Sequence, residues 1–251
     1  MNIYFSGIAG ASEYQMLVSA EVKRMLVDPF KHKHIPPGRA GVALDSGAYH
    51  ALKNNLKLDL DRYLSFVRNH GPFDFAVSLD VIGDSRASRE NWDHLRRLRS
   101  TDDPEFVPVF QWGGADDDLR RYLDEAPVVG IGGLVHLMKK KDRPTLEQLG
   151  ALCALHPGRF HIFSCDWLRA IMDLHGLVNS MDTSKWLDGE RYADPASDST
   201  GSQALSQALV NTPGLKLDHA RRRIRAARII EDYVLRRNLQ AQEGRWSTTK
   251  S

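Results

Sequence analysis

The stretch GVALDSGAY, residues 41–49, decides how the chain is read. An apolar run, Val42, Ala43 and Leu44, follows Gly41 and stops abruptly at Asp45, Ser46 and Gly47. A short apolar run bounded by glycines is the pattern of a buried parallel strand, and whatever follows its last apolar residue lies at the strand's carboxyl end. Asp45 is therefore expected at the edge of a site and not in a core. The same pattern returns at 75–80 (FAVSLD), which ends on Asp80, and at 177–182 (LVNSMD), which ends on Asp182. In a barrel of parallel strands all such ends open onto one mouth, so three carboxylates far apart along the chain would converge there.

Working outward, residues 2–8 read as a first strand and 12–27 as a helix, with Met16, Leu17, Ala20 and Met25 at roughly helical spacing. Residues 28–38 (DPFKHKHIPPG) have no periodicity and read as a solvated basic loop, with His32 and His34 in it. Helices are expected at 59–69, 85–100, 116–124, 144–155 and 166–174, alternating with strands at 106–112, 128–135 and 160–165. That makes seven strand candidates. Regular alternation with helices favours an α/β barrel of the (β/α)8 type, its eighth strand short or irregular, over an open doubly wound sheet. Neither GxGxxG nor GxxxxGK[ST] occurs, which lowers the odds of a dinucleotide- or ATP-binding open sheet.

The expected organisation is a barrel domain at 1–194, a Ser/Asp/Thr/Pro/Gly-rich loop at 195–216, a basic helix packed on the barrel at 217–240 and a flexible tail at 241–251. The helix carries Ala220, Ile224, Ala227, Ile230 and Val234 at helical spacing, with Arg221, Arg222, Arg223, Arg225, Arg228, Arg236 and Arg237 around them. Two readings stand: a solvated amphipathic helix lying on the barrel, or a surface that contacts nucleic-acid phosphates.

At 251 residues the chain suits one large core, and its 26% charged residues and lack of a long apolar run argue against a membrane role. The segment MNIYFSGIAG reads as a strand and not as an export signal, so a cytoplasmic protein is expected. Cys153 and Cys165 are too few for a cysteine-rich zinc site and are expected as free thiols, with no metal bound. A net charge of +2 leaves any affinity for nucleic acid to local patches.

Three carboxylates at one mouth suit chemistry at a sugar carbon: one attacks or stabilises an oxocarbenium-like centre while another moves the leaving-group proton. The plainer reading of any one of them is a helix cap. Around them, Gln111 with Gly113 and Gly114 ends one strand, and Gly132 and Gly133 end the next. Such glycines either let backbone groups approach a planar ligand or simply make turns, and a Gln amide both donates and accepts. Tyr49 is placed to stack a flat ligand or to enter a core, and Ser46 is a weaker candidate. Lys139, Lys140 and Lys141 follow the glycine-rich strand end as a phosphate-holding run or a solvated face.

The ordered set DSGAYH at Asp45, a strand ending on Asp80, VFQWGGADDDLR at Gln111, GIGGLV at Gly132 and SMDTSKW at Asp182 resembles the tRNA-guanine transglycosylase superfamily, and most closely its small, phage-type members linked to inserting 7-deazaguanine bases into DNA. The resemblance covers about residues 2–194. It implies a pentosyltransferase without metal or redox cofactor, acting on DNA with a 7-deazaguanine base. By that resemblance Asp182 is the nucleophile and Asp45 the general acid/base. Asp80, Gln111 and the backbone at Gly132, Gly133 and Leu134 would read the purine edge, with Tyr49 on its face. From the residues themselves, Ser46 is a further substrate-binding candidate, and Lys139, Lys140, Lys141, Arg221, Arg222 and Arg225 are candidates for meeting the nucleic acid. Transfer-RNA enzymes of the superfamily carry a carboxy-terminal zinc site of three cysteines and a histidine, and no cysteine follows Cys165 here. Ala48 and His50 depart from the family's motif, and Trp112 stands inserted beside Gln111. Three alternatives remain open: the same exchange on transfer RNA, a glycoside hydrolase using two of the aspartates, and a nucleic-acid-binding protein without catalysis.

Overall fold

The computed structural model describes residues 1–31, 41–188 and 219–248. The chain alternates strand and helix around a parallel barrel. In order the elements are β1 (Asn2–Phe5), α1 (Ala11–Ser19), β2 (Arg24–Val27), β3 (Gly41–Leu44), α2 (Ala48–Lys53), α3 (Leu60–His70), β4 (Ala76–Val77) and α4 (Ser85–Leu98). They continue with β5 (Phe106–Val107), β6 (Val109–Gln111), α5 (Asp116–Glu125), β7 (Val129–Gly132), α6 (Val135–Lys140), α7 (Arg143–Leu155), β8 (Phe160–Ile162), α8 (Leu168–Asp173) and β9 (Ser180–Thr183). A single 3-10 turn (Lys185–Asp188) follows, and α9 spans His219–Thr248.

The sheet runs β5-β4-β3-β2-β1-β9-β8-β7-β6 with all pairings parallel. Its two outer members, β5 and β6, are halves of one extended run separated only by Pro108, which lacks an N–H for the ladder. The chain itself therefore joins the two edges, and eight strand positions ring the core, as the alternating pattern implied.

The eighth strand is β2, inside the segment read as the tail of a helix. Glu21 takes a left-handed φ of 60°, which ends the helical path at a non-glycine residue. Met25, Leu26 and Val27 then run as a buried strand. Met25 keeps helical spacing from Leu17, so periodicity alone does not separate the two. Elsewhere the helix starts follow their caps: Asp59 accepts the Arg62 N–H at 3.0 Å, Asp84 the Ala87 N–H at 2.9 Å and Asp142 the Thr145 N–H at 3.1 Å.

Strand alternation splits the core into two layers. Tyr4, Leu26, Ala43, Phe75, Val77, Val107 and Val109 fill the barrel interior, while Ile3, Phe5, Met25, Leu44, Ile131 and Met181 face the helices. On α3, Tyr63, Leu64 and Val67 are buried against that outer layer, and each aliphatic side chain so removed from water contributes about 1.5–3 kcal/mol.

Helix α9 lies against α1 and β1 and buries Ala226, Ala227, Ile230 and Val234. Arg223 pairs with Glu13 at 3.8 Å, and Arg228 donates to the Ser19 carbonyl. Asn238 donates to the Met1 carbonyl at 2.9 Å, and its Oδ1 lies 3.0 Å from His175 Nε2. Two arginines of the expected basic face are thus ties to the barrel, and the reading as an amphipathic helix docked on it holds. Within the tail expected from residue 241, α9 continues to Thr248, and residues 249–251 lie outside the described residues. The expected loop at 195–216 and His32 and His34 lie outside the described residues.

Candidate active site

Four strand ends bring acids to one mouth. Asp45 follows β3 on the inward-facing parity of Ala43, Asp182 sits in β9 two residues beyond inward-facing Ser180, and Asp80 lies beyond β4. The fourth, Asp28, follows β2 and went unnoticed with that strand. Burial and the nearby charges of Asp80, Asp182 and Asp28 push the Asp45 carboxyl up to about 8, while the Ser46 N–H, 2.8 Å from its Oδ1, works weakly the other way. The charges of the other three acids all bear on Asp45, as carboxyls at the ends of neighbouring parallel strands would.

Each carboxylate is held differently. Asp80 is buried; its Oδ1 accepts the Ser46 hydroxyl at 2.6 Å and its Oδ2 the Gln111 amide at 2.9 Å. Burial raises its pKa, and those two donors oppose the rise. Ser46 Oγ in turn accepts the Ala48 N–H at 3.1 Å, which fixes the start of α2. Gly47, at φ 74°, makes the turn; a Cβ there would run into the Phe30 ring. Asp182 is buried, and its Oδ1 accepts the Ser164 N–H at 2.7 Å. Among the described residues its Oδ2 carries no hydrogen bond. Asp166 binds the Ser184 N–H at 2.7 Å and the Ser184 hydroxyl at 2.8 Å, tying the turn after β9 to the end of β8.

Strand β7 contributes no side chains to the mouth. On β7 the inward positions are Gly130 and Gly132, and the Phe163 ring occupies the space a Gly130 Cβ would need. A Cβ on Gly132 would lie 2.9 Å from Val109 Cγ1 and 3.2 Å from the Gln111 carboxamide. Gly133 is in the left-handed region at φ 77°, and the Gly132 carbonyl accepts the Trp112 N–H at 3.0 Å. The space the inward glycines leave is taken by neighbouring side chains, Phe163 at Gly130 and Val109 with Gln111 at Gly132, and Gln111 in turn holds Asp80.

No protein-family model and no curated protein matches this chain.

The other expected site residues divide. Leu134 buries its side chain in the outer core, leaving only its backbone to the mouth. Tyr49 is on α2 and 61% exposed, so it stands at the rim and not within the cluster of acids. Lys139 and Lys140 belong to α6 and Lys141 to the turn after it, where a loop was expected; Lys140 and Lys141 are exposed, and the Lys139 side chain lies outside the described residues. Arg221 and Arg222 are on α9 with side chains outside the described residues, and Arg225 is half-buried. Cys153 and Cys165 are both free and buried; burial pushes the Cys153 thiol up to about 12, and Cys165 rises further, with Asp182 and Asp166 adding to the effect. Among the described residues no three His, Cys, Asp or Glu side chains are grouped to hold a metal, and no helix is long and apolar enough to cross a membrane.

Two groups at the site were not singled out from sequence. Tyr63 donates its hydroxyl to the Val77 carbonyl, and burial with the charges of Asp45 and Asp80 raises its pKa. His161, between Phe160 and Ile162, points inward below Asp182. Period-two alternation in FHIF would have placed it there.

Proposed function

We propose that the chain is a base-exchanging glycosyltransferase that replaces guanine in DNA with a preformed 7-deazaguanine. The observation that carries the reading is the pairing of unlike carboxyls at one mouth: Asp45 raised to about 8, and Asp182 buried with one oxygen held and the other unengaged. A group titrating near 8 is protonated at neutral pH and suits proton donation, whereas a carboxylate with a free oxygen suits attack.

In the first half-reaction Asp182 Oδ2 forms a bond to C1′ as the C1′–N9 bond of guanine breaks, and the Asp45 proton goes to the departing base, which leaves neutral. In the second, Asp45, now a carboxylate, takes the N9 proton of the incoming base, N9 bonds to C1′, and Asp182 is released. The configuration at C1′ is retained after two displacements. The Gln111 and Asp80 pair offers an amide and a carboxylate to a purine edge that has both acceptors and donors. A target base must first leave the duplex stack, at a cost of a few kcal/mol.

Incubation with guanine-containing duplex DNA and a labelled 7-deazaguanine tests the reading. Incorporation that disappears in Asp182→Ala supports it. No incorporation from any donor base into DNA refutes it; transfer to RNA alone would move the acceptor, and release of reducing sugar from a glycan would favour a hydrolase.

A further inference from the structure

Below Asp182, on the neighbouring strand, lies a histidine that the reaction above does not use. His161 is fully buried and lies opposite Ser180 in the β8–β9 register. The rings of Tyr4, Phe75 and Phe163 surround it edge-on, with centroids at 6.0, 5.2 and 4.6 Å. Its Nδ1 is 2.8 Å from the Ser180 hydroxyl. Its Nε2 has no hydrogen-bond partner and stands 3.7 Å from Asp182 Oδ1, the oxygen already held by the Ser164 N–H. A buried polar nitrogen without a partner is costly, and one aimed at a carboxylate is a placement with a use.

We infer that His161 is the positioning residue of Asp182: Ser180 donates to Nδ1, so the proton sits on Nε2 and faces Oδ1. The opposite tautomer would set a lone pair against a carboxylate oxygen in a dry interior, which is repulsive. A shift of less than about 1 Å brings Nε2–H into hydrogen-bond range. With Ser164 and His161 both on Oδ1, the carboxylate plane is fixed and Oδ2 is turned to the mouth. During breakdown of the sugar ester the same N–H stabilises the negative charge returning to the departing carboxylate. The catalytic consequence rests on Asp182 being the nucleophile; the tautomer does not.

Two independent measurements test this. First, nitrogen-15 histidine spectra of the full chain are expected to show His161 with a proton on Nε2 and a bare Nδ1, and the Nε2–H signal to move in Asp182→Asn. A bare Nε2 overturns the inference whatever the enzyme does. Second, in the exchange assay His161→Met, which removes the donor at similar volume, is expected to lower kcat about 100-fold with KM within about threefold, and to accumulate the glycosyl-enzyme. His161→Gln, whose amide reaches the Nε2 position, is expected to recover at least tenfold of that loss. Equal activity losses in the two variants at equal melting temperature would reduce His161 to packing. Should wild-type protein exchange no base at all, the reading of the reaction falls, and the spectra alone decide the His161 placement.

Discussion

Replacing Asp45 with asparagine is expected to stabilise the protein at alkaline pH and to leave it nearly unchanged in acid. Asparagine keeps the volume and the acceptor for the Ser46 N–H, so the substitution removes only the capacity to ionise. The unfolded carboxyl titrates at its ordinary 3.8 and the folded one at about 8, because burial and the charges of Asp80, Asp182 and Asp28 oppose ionisation. For a group raised on folding, the full stability is present below the unfolded pKa and is lost as pH climbs to the folded one. About four pH units at about 1.4 kcal/mol each give about 6 kcal/mol for a dry carboxyl, and water entering the open mouth screens this to about 2–3 kcal/mol. Against a total stability of about 5–15 kcal/mol this is measurable. Urea titrations of both proteins from pH 4 to pH 9 provide the assay. The difference should be close to zero near pH 4, grow steadily between pH 4 and 8, and level off above it. A difference that stays flat across that range, or a variant that loses stability at pH 9, would refute the placement of Asp45 as a buried carboxyl beside the other acids.

Other expectations follow from the same geometry. The first half-reaction should slow as pH rises through about 8, where Asp45 loses its proton, and Asp45→Asn should lower exchange by about 100- to 10,000-fold at pH 7, read from single-turnover rates. Gly132→Ala should cost about 1–3 kcal/mol in urea denaturation and reduce exchange more than tenfold, because its Cβ would press on Val109 and on the Gln111 carboxamide that holds Asp80. Gly150→Ala, in the interior of α7 with nothing within 4 Å of the new methyl group, should instead stabilise by about 0.5–1 kcal/mol. Ile230→Ala should destabilise by about 2–5 kcal/mol if α9 is part of the barrel's own core, and Arg223→Ala, which only breaks the pair with Glu13, should leave the salt dependence of DNA binding unchanged.

Much of the architecture was legible in one dimension because buried parallel strands are short apolar runs with abrupt polar ends. Asp45, Asp80, Gln111, Gly132 and Asp182 all stand where such runs stop, and strand ends in a parallel barrel share a mouth whatever their separation in sequence. What escaped was set by conformation without a residue signal. Glu21 adopts a left-handed φ that glycine usually marks, so β2 was hidden in a helical pattern and Asp28 with it. The arginines of α9 looked like one basic face, but Arg223 and Arg228 reach groups on α1, contacts no periodicity encodes.

The linear chain therefore determined the strand-and-helix alternation and the acids at the strand ends, since both depend on local polarity and period. Only the folded barrel decided that the Asp45 carboxyl is pushed up to about 8 and that one oxygen of Asp182 is unengaged. Those properties arise from charges and donors meeting through space: Asp28, Asp80 and Asp182 around Asp45, and Ser164 with His161 at one carboxylate oxygen.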